Sequence, residues 1–295
     1  MKRWLIFGAA VACLAGPKSK EGYIMSETCT ACHEDIGKSF AKSRHAIIDT
    51  DENRGWKGMA CESCHGPGAK HGEAAEAKFI LNPAKAATRQ ADAACLSCHR
   101  NQTTSAGRVK GSHGVGQASC VSCHSVHHES RAHRETANAL CTSCHLEAKA
   151  QFARPHTHRV AQNAMTCLDC HNPHGTIRQA GLASTARAQN NEPGCLKCHT
   201  DKRGPFAFEH APVRLEGCNA CHEPHGSANP RMLNRADVMN QCLECHASLP
   251  NPANKTGTLG SLPPSFHDLR SPFYRNCTTC HVKIHGSHVS RSFLR

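Results

Sequence analysis

Apolar positions are sparse along this chain and rarely fall into a long amphipathic period. The longest apolar run, residues 4–12, follows Lys2 and Arg3 and is too short for a permanent bilayer-spanning helix. No other stretch is apolar enough to cross a membrane as a helix. In "RADVMNQCLECHASL" (235–249), Ala, Val, Met and Leu recur at helical spacing and predict one short helix. "NPHG", "EPHG" and "LPPSF" read as turns, and "GTLGSLPPSF" (257–266) as a linker. Strand-type alternation has little support. The pattern predicts short α-helices, long irregular segments and almost no β-structure.

The helical positions coincide with a chemical motif. In "MTCLDCHNPHG" (165–175), Cys167 and Cys170 share a helical face and His171 follows at once. Two readings compete, half of a structural zinc site or a C-x-x-C-H attachment site for covalent c-type haem. Repetition decides between them. The pattern starts at Cys29, Cys61, Cys95, Cys120, Cys141, Cys167, Cys195, Cys218, Cys242 and Cys277, ten copies using 20 of the 21 cysteines. Zinc ribbons and disulfide frameworks have no need of a histidine after every second cysteine. Ten covalently bound haem c groups are therefore expected. Their thioethers come from Cys29 and Cys32, Cys61 and Cys64, Cys95 and Cys98, Cys120 and Cys123, and Cys141 and Cys144. The later five use Cys167 and Cys170, Cys195 and Cys198, Cys218 and Cys221, Cys242 and Cys245, and Cys277 and Cys280. The proximal iron ligands are His33, His65, His99, His124, His145, His171, His199, His222, His246 and His281.

The remaining cysteine concerns processing. Residues 1–12 have the layout of a signal peptide, with a charged start, an apolar run and a small-residue exit at Ala10–Ala12. Cys13 stands where a lipoprotein signal places its lipidated cysteine, although Leu is more usual where Ala10 sits. Lipidation is favoured over simple cleavage, and either route exports the chain. Residues 13–27 then form an N-terminal linker, and 28–295 the haem-binding domain.

Composition changes the picture of what holds that domain together. Aromatic residues make up only 4% of the chain, against 15 prolines and 22 glycines. Such a chain builds a thin side-chain core, so apolar porphyrins must serve as the core and folding should require them. The formal charge of +12 suggests nucleic-acid binding. Without Lys2 and Arg3 there remain 33 basic and 23 acidic residues. Ten haems add about twenty propionate charges, so the reduced protein is near −10 and the ferric one roughly neutral. The basic residues are expected to neutralise propionates, and no nucleic-acid partner is expected.

The other fourteen of the 24 histidines are placed in order. The motifs at Cys29, Cys95, Cys141, Cys195 and Cys242 are plain. Each is followed by a decorated motif with one histidine upstream and one downstream. The pairs are His45 and His71, His113 and His127, His158 and His174, His210 and His225, and His267 and His285. These ten are the candidate distal ligands, one per iron. A histidine so close to its own motif reaches a neighbouring ring more easily than the far face of its own. Five two-haem modules result, at about 28–90, 91–135, 136–190, 191–235 and 236–295. His128, His133, His156 and His288 are left over as surface or propionate-contacting residues. His127/His128 and His156/His158 are interchangeable on spacing, with the match of "HRVAQNAMTC" to "HAPVRLEGC" favouring His158.

Two imidazoles per iron give a six-coordinate, low-spin centre of low potential with no place for substrate. About thirty residues per haem keep such centres close together. The reading is an electron carrier, not an enzyme, with haems in a row along an elongated molecule. The alternatives are a multihaem reductase with one catalytic haem, and an electron store or filament subunit.

Motif number, chain size and the phrases "GPFAFEHAPVRLEGCNACHEPHGSANPRML" and "CTTCHVKIHGSHVSRSFLR" resemble the DmsE/MtrA/PioA-type decahaem c-type cytochrome family. The likeness spans nearly the whole mature chain and is strongest from about Cys141 onward. It implies a bis-histidine wire inserted in a porin-like outer-membrane β-barrel, at the periplasm/outer membrane. The implied partners are that barrel protein, a periplasmic cytochrome or quinol-linked donor, and an extracellular multihaem cytochrome or surface reductase. Two features depart from the family pattern: Cys13, and the irregular first module with "DTDENRGWKGMA" after His45.

Overall fold

The computed structural model describes residues 21–101, 113, 118–128, 136–174, 194–247 and 267–294. The expected signal peptide, Cys13, His133 and the 257–266 linker lie outside the described residues. Two compact units are present. Unit 1 holds the described residues through Arg100 together with those from Cys120 to His128, and unit 2 holds the remainder. His113 thus belongs to unit 2.

The described residues contain short helices and no strand, only isolated bridges. Four plain motifs lie at or near the C-terminal end of an α-helix, Ser26–Cys32, Thr88–Leu96, Ala137–Thr142 and Val238–His246, the last inside the segment expected to be helical. The fifth plain motif, at Cys195, is on the 3₁₀ turn Gly194–Lys197. Decorated motifs at Cys61 and Cys120 sit on α-helical turns, Ala60–His65 and Cys120–Cys123. Those at Cys167, Cys218 and Cys277 are single 3₁₀ turns, tighter than the α-helix expected. Local chemistry accounts for this. Thr166 and Asp169 form a capping box, and Gly217 holds φ 85°, so helix begins only at the cysteine. Pro173 and Pro224, two residues past the motif histidine, stop it.

Whatever its helix type, the motif closes in the same way. The backbone N–H of His124, His145, His171, His199, His222 and His281 donates to the carbonyl of its own first cysteine at 2.8–3.0 Å. One such turn brings two thiols and an imidazole to one side.

Buried apolar residues are few and mostly small: Ala60, Ala91, Ala137, Val160 and Leu196 among the described residues. Ala91 and Ala137 lie one turn ahead of Cys95 and Cys141. Three buried polar residues occupy the next position, three before the first cysteine: Ser26, Asp92 and Asn138. Each accepts the backbone N–H of the first cysteine of the following decorated motif. Cys61 N–H reaches Ser26 Oγ at 3.4 Å, Cys120 N–H reaches Asp92 Oδ1 at 2.9 Å, and Cys167 N–H reaches Asn138 Oδ1 at 2.9 Å. A recurrent side chain thereby caps the partner turn and ties two motifs into one body.

In unit 2, two His-Gly-Ser loops fix the segments that enter the upstream histidines. Ser227 exchanges backbone hydrogen bonds with His156 at 2.9 and 3.2 Å, and Ser287 with Phe208 at 2.9 and 2.8 Å. His156 and Phe208 each stand two residues before a candidate ligand, His158 and His210. Gly226 has φ +136°, and a Cβ there would lie 2.5 Å from the Gln151 carbonyl oxygen. Gly226→Ala is expected to destabilise the protein by about 2 kcal/mol, through backbone strain and overpacking. A lower denaturant midpoint at unchanged haem content would show it, whereas an unmoved midpoint would mean that the loop carries no strain.

Candidate haem sites

The predicted proximal and distal histidines meet in pairs. In unit 1 the ring centroids of His33 and His71 are 6.2 Å apart, His45 and His99 6.0 Å, and His65 and His127 5.8 Å. In unit 2, His113 and His145 are 5.8 Å apart, His158 and His199 6.3 Å, and His171 and His225 5.8 Å. His210 and His246 follow at 6.1 Å, and His222 with His285 and His267 with His281 at 6.3 Å. A metal–imidazole bond of about 2 Å plus about 1.1 Å to the ring centre, taken twice, gives roughly 6 Å. Every pair joins one motif histidine to one flanking histidine. Of the other two predicted ligands, His124 lies in unit 1 within electrostatic reach of His45. His174 lies in unit 2, its backbone N–H donating to Asn172 Oδ1 at 3.1 Å.

The pairing obeys a rule that spacing alone does not reveal. Upstream histidines reach forward to the plain motif of the next module: His45 to His99, His113 to His145, His158 to His199, His210 to His246. Downstream histidines reach back to the decorated motif of the module before: His127 to His65, His225 to His171, His285 to His222. At the two ends the pairing closes locally, His71 with His33 and His267 with His281.

Hydrogen bonds aim the rings. The Nδ1–H of His65 donates to the Leu81 carbonyl at 2.6 Å, that of His71 to Glu76 at 3.0 Å, and that of His113 to Pro173 at 3.1 Å. His158 donates to the Pro224 carbonyl at 2.9 Å, His222 to Arg231 at 2.9 Å and His281 to Ser292 at 2.5 Å. A carbonyl only accepts, so Nδ1 carries the proton and Nε2 keeps its lone pair. This is the orientation a metal-binding imidazole needs, and the acceptor also raises its basicity. The turn prolines of "NPHG" and "EPHG" thus supply orienting carbonyls. Burial lowers His45, His127, His171, His210 and His225 below the ordinary imidazole value, and takes His285 down to about 4. Neutral imidazoles suit iron.

The left-over histidines are placed differently. His128 faces the Ser39 hydroxyl, with Nδ1 2.5 Å from Oγ, and His288 packs at 5.3 Å against the Phe206 ring. His156 contributes its backbone to the Ser227 bridge. The geometry therefore puts His127 rather than His128, and His158 rather than His156, opposite a motif histidine.

Thiols of successive motifs adjoin in chain order. In unit 1, Cys29 shares a hydrogen bond with Cys61, and Cys120 donates to Cys95, which lowers Cys95 to about 7. Burial raises the Cys64 thiol, and nearby Cys95 and Cys98 add to the rise. In unit 2, Cys218 donates to Cys195 and Cys242 to Cys277, lowering each acceptor to about 6. Cys170 lies near Cys195 and Cys198, and Cys221 near Cys245. Among the described residues, no group of three or more His, Cys, Asp or Glu side chains stands at spacing suited to a metal ion. The recurrent unit is two imidazoles with two thiols beside them, which suits a planar macrocycle carrying its own equatorial ligands.

Comparison with known proteins finds the same motif. A family model described as a doubled CXXCH motif matches residues 158–204 and 210–251. The chain is 33% identical over 280 residues to the multiheme cytochrome MtrA of Shewanella baltica, covering 92% of this chain and 81% of that protein. It is 20% identical to the high-molecular-weight cytochrome c of Nitratidesulfovibrio vulgaris, over 89% of this chain and 51% of that protein. It is also 28% identical to the C-type polyheme cytochrome OmcC of Geobacter sulfurreducens, over 66% of this chain and 30% of that protein.

Proposed function

Because the chain belongs to the DmsE/MtrA/PioA-type family of multihaem c-type cytochromes, a family of electron-transfer proteins, we propose that it carries ten haems and conducts electrons across an outer membrane. The observation that carries this reading is the set of imidazole pairs at 5.8–6.3 Å, each joining a motif histidine to a flanking one. Bound haem supplies a one-electron Fe(III)/Fe(II) couple. The two cysteines of each motif fix its edge. The two paired imidazoles would hold the iron of each haem, which would let it change oxidation state with little rearrangement and leave no place for a substrate. The adjoining thiols of successive motifs bring cofactor edges together in chain order within each unit, which sets a path for electrons.

The finer assignments rest on the resemblance and on these pairs. All ten motif histidines and all ten flanking histidines would hold haem iron. Residues 1–12 direct export, and Cys13 is the lipidation point. The conduit sits in a porin-like β-barrel, fed by a periplasmic cytochrome or quinol-linked donor. It delivers to an extracellular multihaem cytochrome or a surface reductase, and catalyses no reaction of its own. No helix among the described residues is long and apolar enough to cross a membrane.

Intact mass and a pyridine haemochrome assay on exported protein test this directly. The expected result is a chain beginning at residue 13 with ten haems, entirely low-spin by low-temperature EPR. Vesicles rebuilt from outer-membrane extract should then pass electrons from an internal viologen dye to an external ferric acceptor. Far fewer than ten haems, or a high-spin iron in the resting protein, would overturn the reading.

A further inference from the structure

Glu62 stands inside the second motif, at the position that Leu or Val fills in the motifs at Cys95, Cys120, Cys167, Cys195 and Cys242. It is nevertheless buried, with 1% of its surface exposed. Its Oε1 accepts the backbone N–H of Ile24 at 3.0 Å and of Gly68 at 2.8 Å, and its Oε2 that of Met25 at 3.1 Å. Both oxygens are acceptors, as in an ionised carboxylate. The donors are neutral amides, and no ion pair among the described residues involves Glu62.

One task of these bonds is to staple the chain before the first motif and the loop after the second onto the motif turn. A staple needs acceptors but no charge, and a buried charge without a counter-ion is costly to retain. This charge stands inside the second motif and within electrostatic reach of the first. Cys61 is the adjacent residue, and Cys29 shares a hydrogen bond with Cys61. In the thiol form that precedes haem attachment, burial, then Cys61 and then the Glu62 carboxylate raise Cys29 to about 11, so the carboxylate stands within electrostatic reach of the first motif as well as the second. A second carboxylate of the same sign stands close by, with Asp49 Oδ1 accepting from Ser26 Oγ at 2.8 Å and from the Ala60 N–H at 3.0 Å.

We propose that Glu62 is a potential-setting residue, whose fixed negative charge holds the haems of Cys29–His33 and Cys61–His65 in the low-potential half of the chain. Each ferric centre takes up one electron to become ferrous, with no bond made or broken and no proton transferred. The ferric form carries one more positive charge, so a buried anion beside it disfavours reduction. An electron then resides least at this first pair and passes on readily. The inference rests on the haem attachment proposed above.

The test is a potentiometric titration of the haem-loaded protein, followed by its visible bands. In Glu62→Gln, two of the ten haems should show about a tenfold higher ferrous-to-ferric ratio at a fixed potential. For one electron that corresponds to about 59 mV. Glu62→Asp keeps the charge and should titrate like the parent. A Gln variant with ten low-spin haems and an unmoved titration would reduce Glu62 to a staple. Should the Gln variant lose haem, the unmodified protein still decides. The low-spin signal that vanishes in His71→Ala marks the haem of His33, and the proposal fails if that signal titrates in the upper half of the ten. A parent protein without haem would instead refute attachment itself, leaving the role of Glu62 aside.

Discussion

Replacing the twenty motif cysteines by alanine is expected to leave the chain unfolded, without a cooperative thermal transition by circular dichroism. The argument starts from what is buried. Among the described residues the buried apolar side chains are three alanines, one valine and one leucine. Burying a Val or Leu is worth about 1.5–3 kcal/mol, and an alanine contributes far less. Ordering each residue costs about 1–2 kcal/mol of backbone entropy. So thin a core cannot hold either unit. The short helices give no rescue, since isolated helices of fewer than about twelve residues are marginal in water. Val238–His246 and Thr88–Leu96 have nine residues each. Large side chains also stay partly in water around the motifs, among them Leu146 at 64% and Leu215 at 80% exposure. These are surfaces that porphyrin rings can cover. A cooperative melt from the cysteine-free chain would show that the polypeptide folds unaided and that haem merely occupies it.

Much of this was legible in the sequence because its chemistry is local. A motif of five residues names its own thioethers and its own proximal histidine, and the scarcity of strand-type alternation announced a fold of turns and short helices. The flanking histidines were legible as a set, since each falls close to a decorated motif. Which histidine meets which was not. That depends on where loops return, and loop return is decided by backbone contacts that leave no residue signature. The carbonyls of Leu81, Pro173 and Arg231 orient imidazoles although their side chains take no part. The His-Gly-Ser clamp required the left-handed conformation at Gly226 and Gly286, which explains the glycine only after the contact is seen. One signal was present and overlooked: Ser26, Asp92 and Asn138 recur three residues ahead of a plain motif's first cysteine. A polar residue at a constant offset in a helix otherwise turned inward is a capping residue in search of a partner. Glu62 was hidden for the opposite reason, since a charged residue inside a motif reads as a solvated one.

His225→Ala is expected to convert one haem in ten to a high-spin centre, and to cut electron throughput at least tenfold. His225 faces His171 at 5.8 Å, its Nδ1 2.9 Å from Gln151 Oε1. Burial, the largest influence on it, lowers its affinity for protons, so at neutral pH it is an uncharged imidazole suited to iron. Removing it leaves the iron of His171 with one protein ligand. The ferric form should then show a high-spin EPR signal, and the ferrous form should bind CO rapidly, while the remaining haems stay low-spin. Throughput falls because a single-file path is governed by its slowest step, and a change of ligand number on each electron transfer raises the barrier; 1.36 kcal/mol suffices for tenfold. His225→Met separates the two causes. Methionine restores the sixth ligand and the low-spin spectrum, yet it raises the potential of that one iron, so electrons should collect there and throughput should stay low. The substitution also tests the interlock. His225 comes from the loop after His222, whereas His171 belongs to the preceding module, so the alanine variant should melt at a lower temperature than the methionine variant. If His225→Ala retains a fully low-spin spectrum, His225 does not bind iron, and the rule that downstream histidines reach back one module loses one of its three instances.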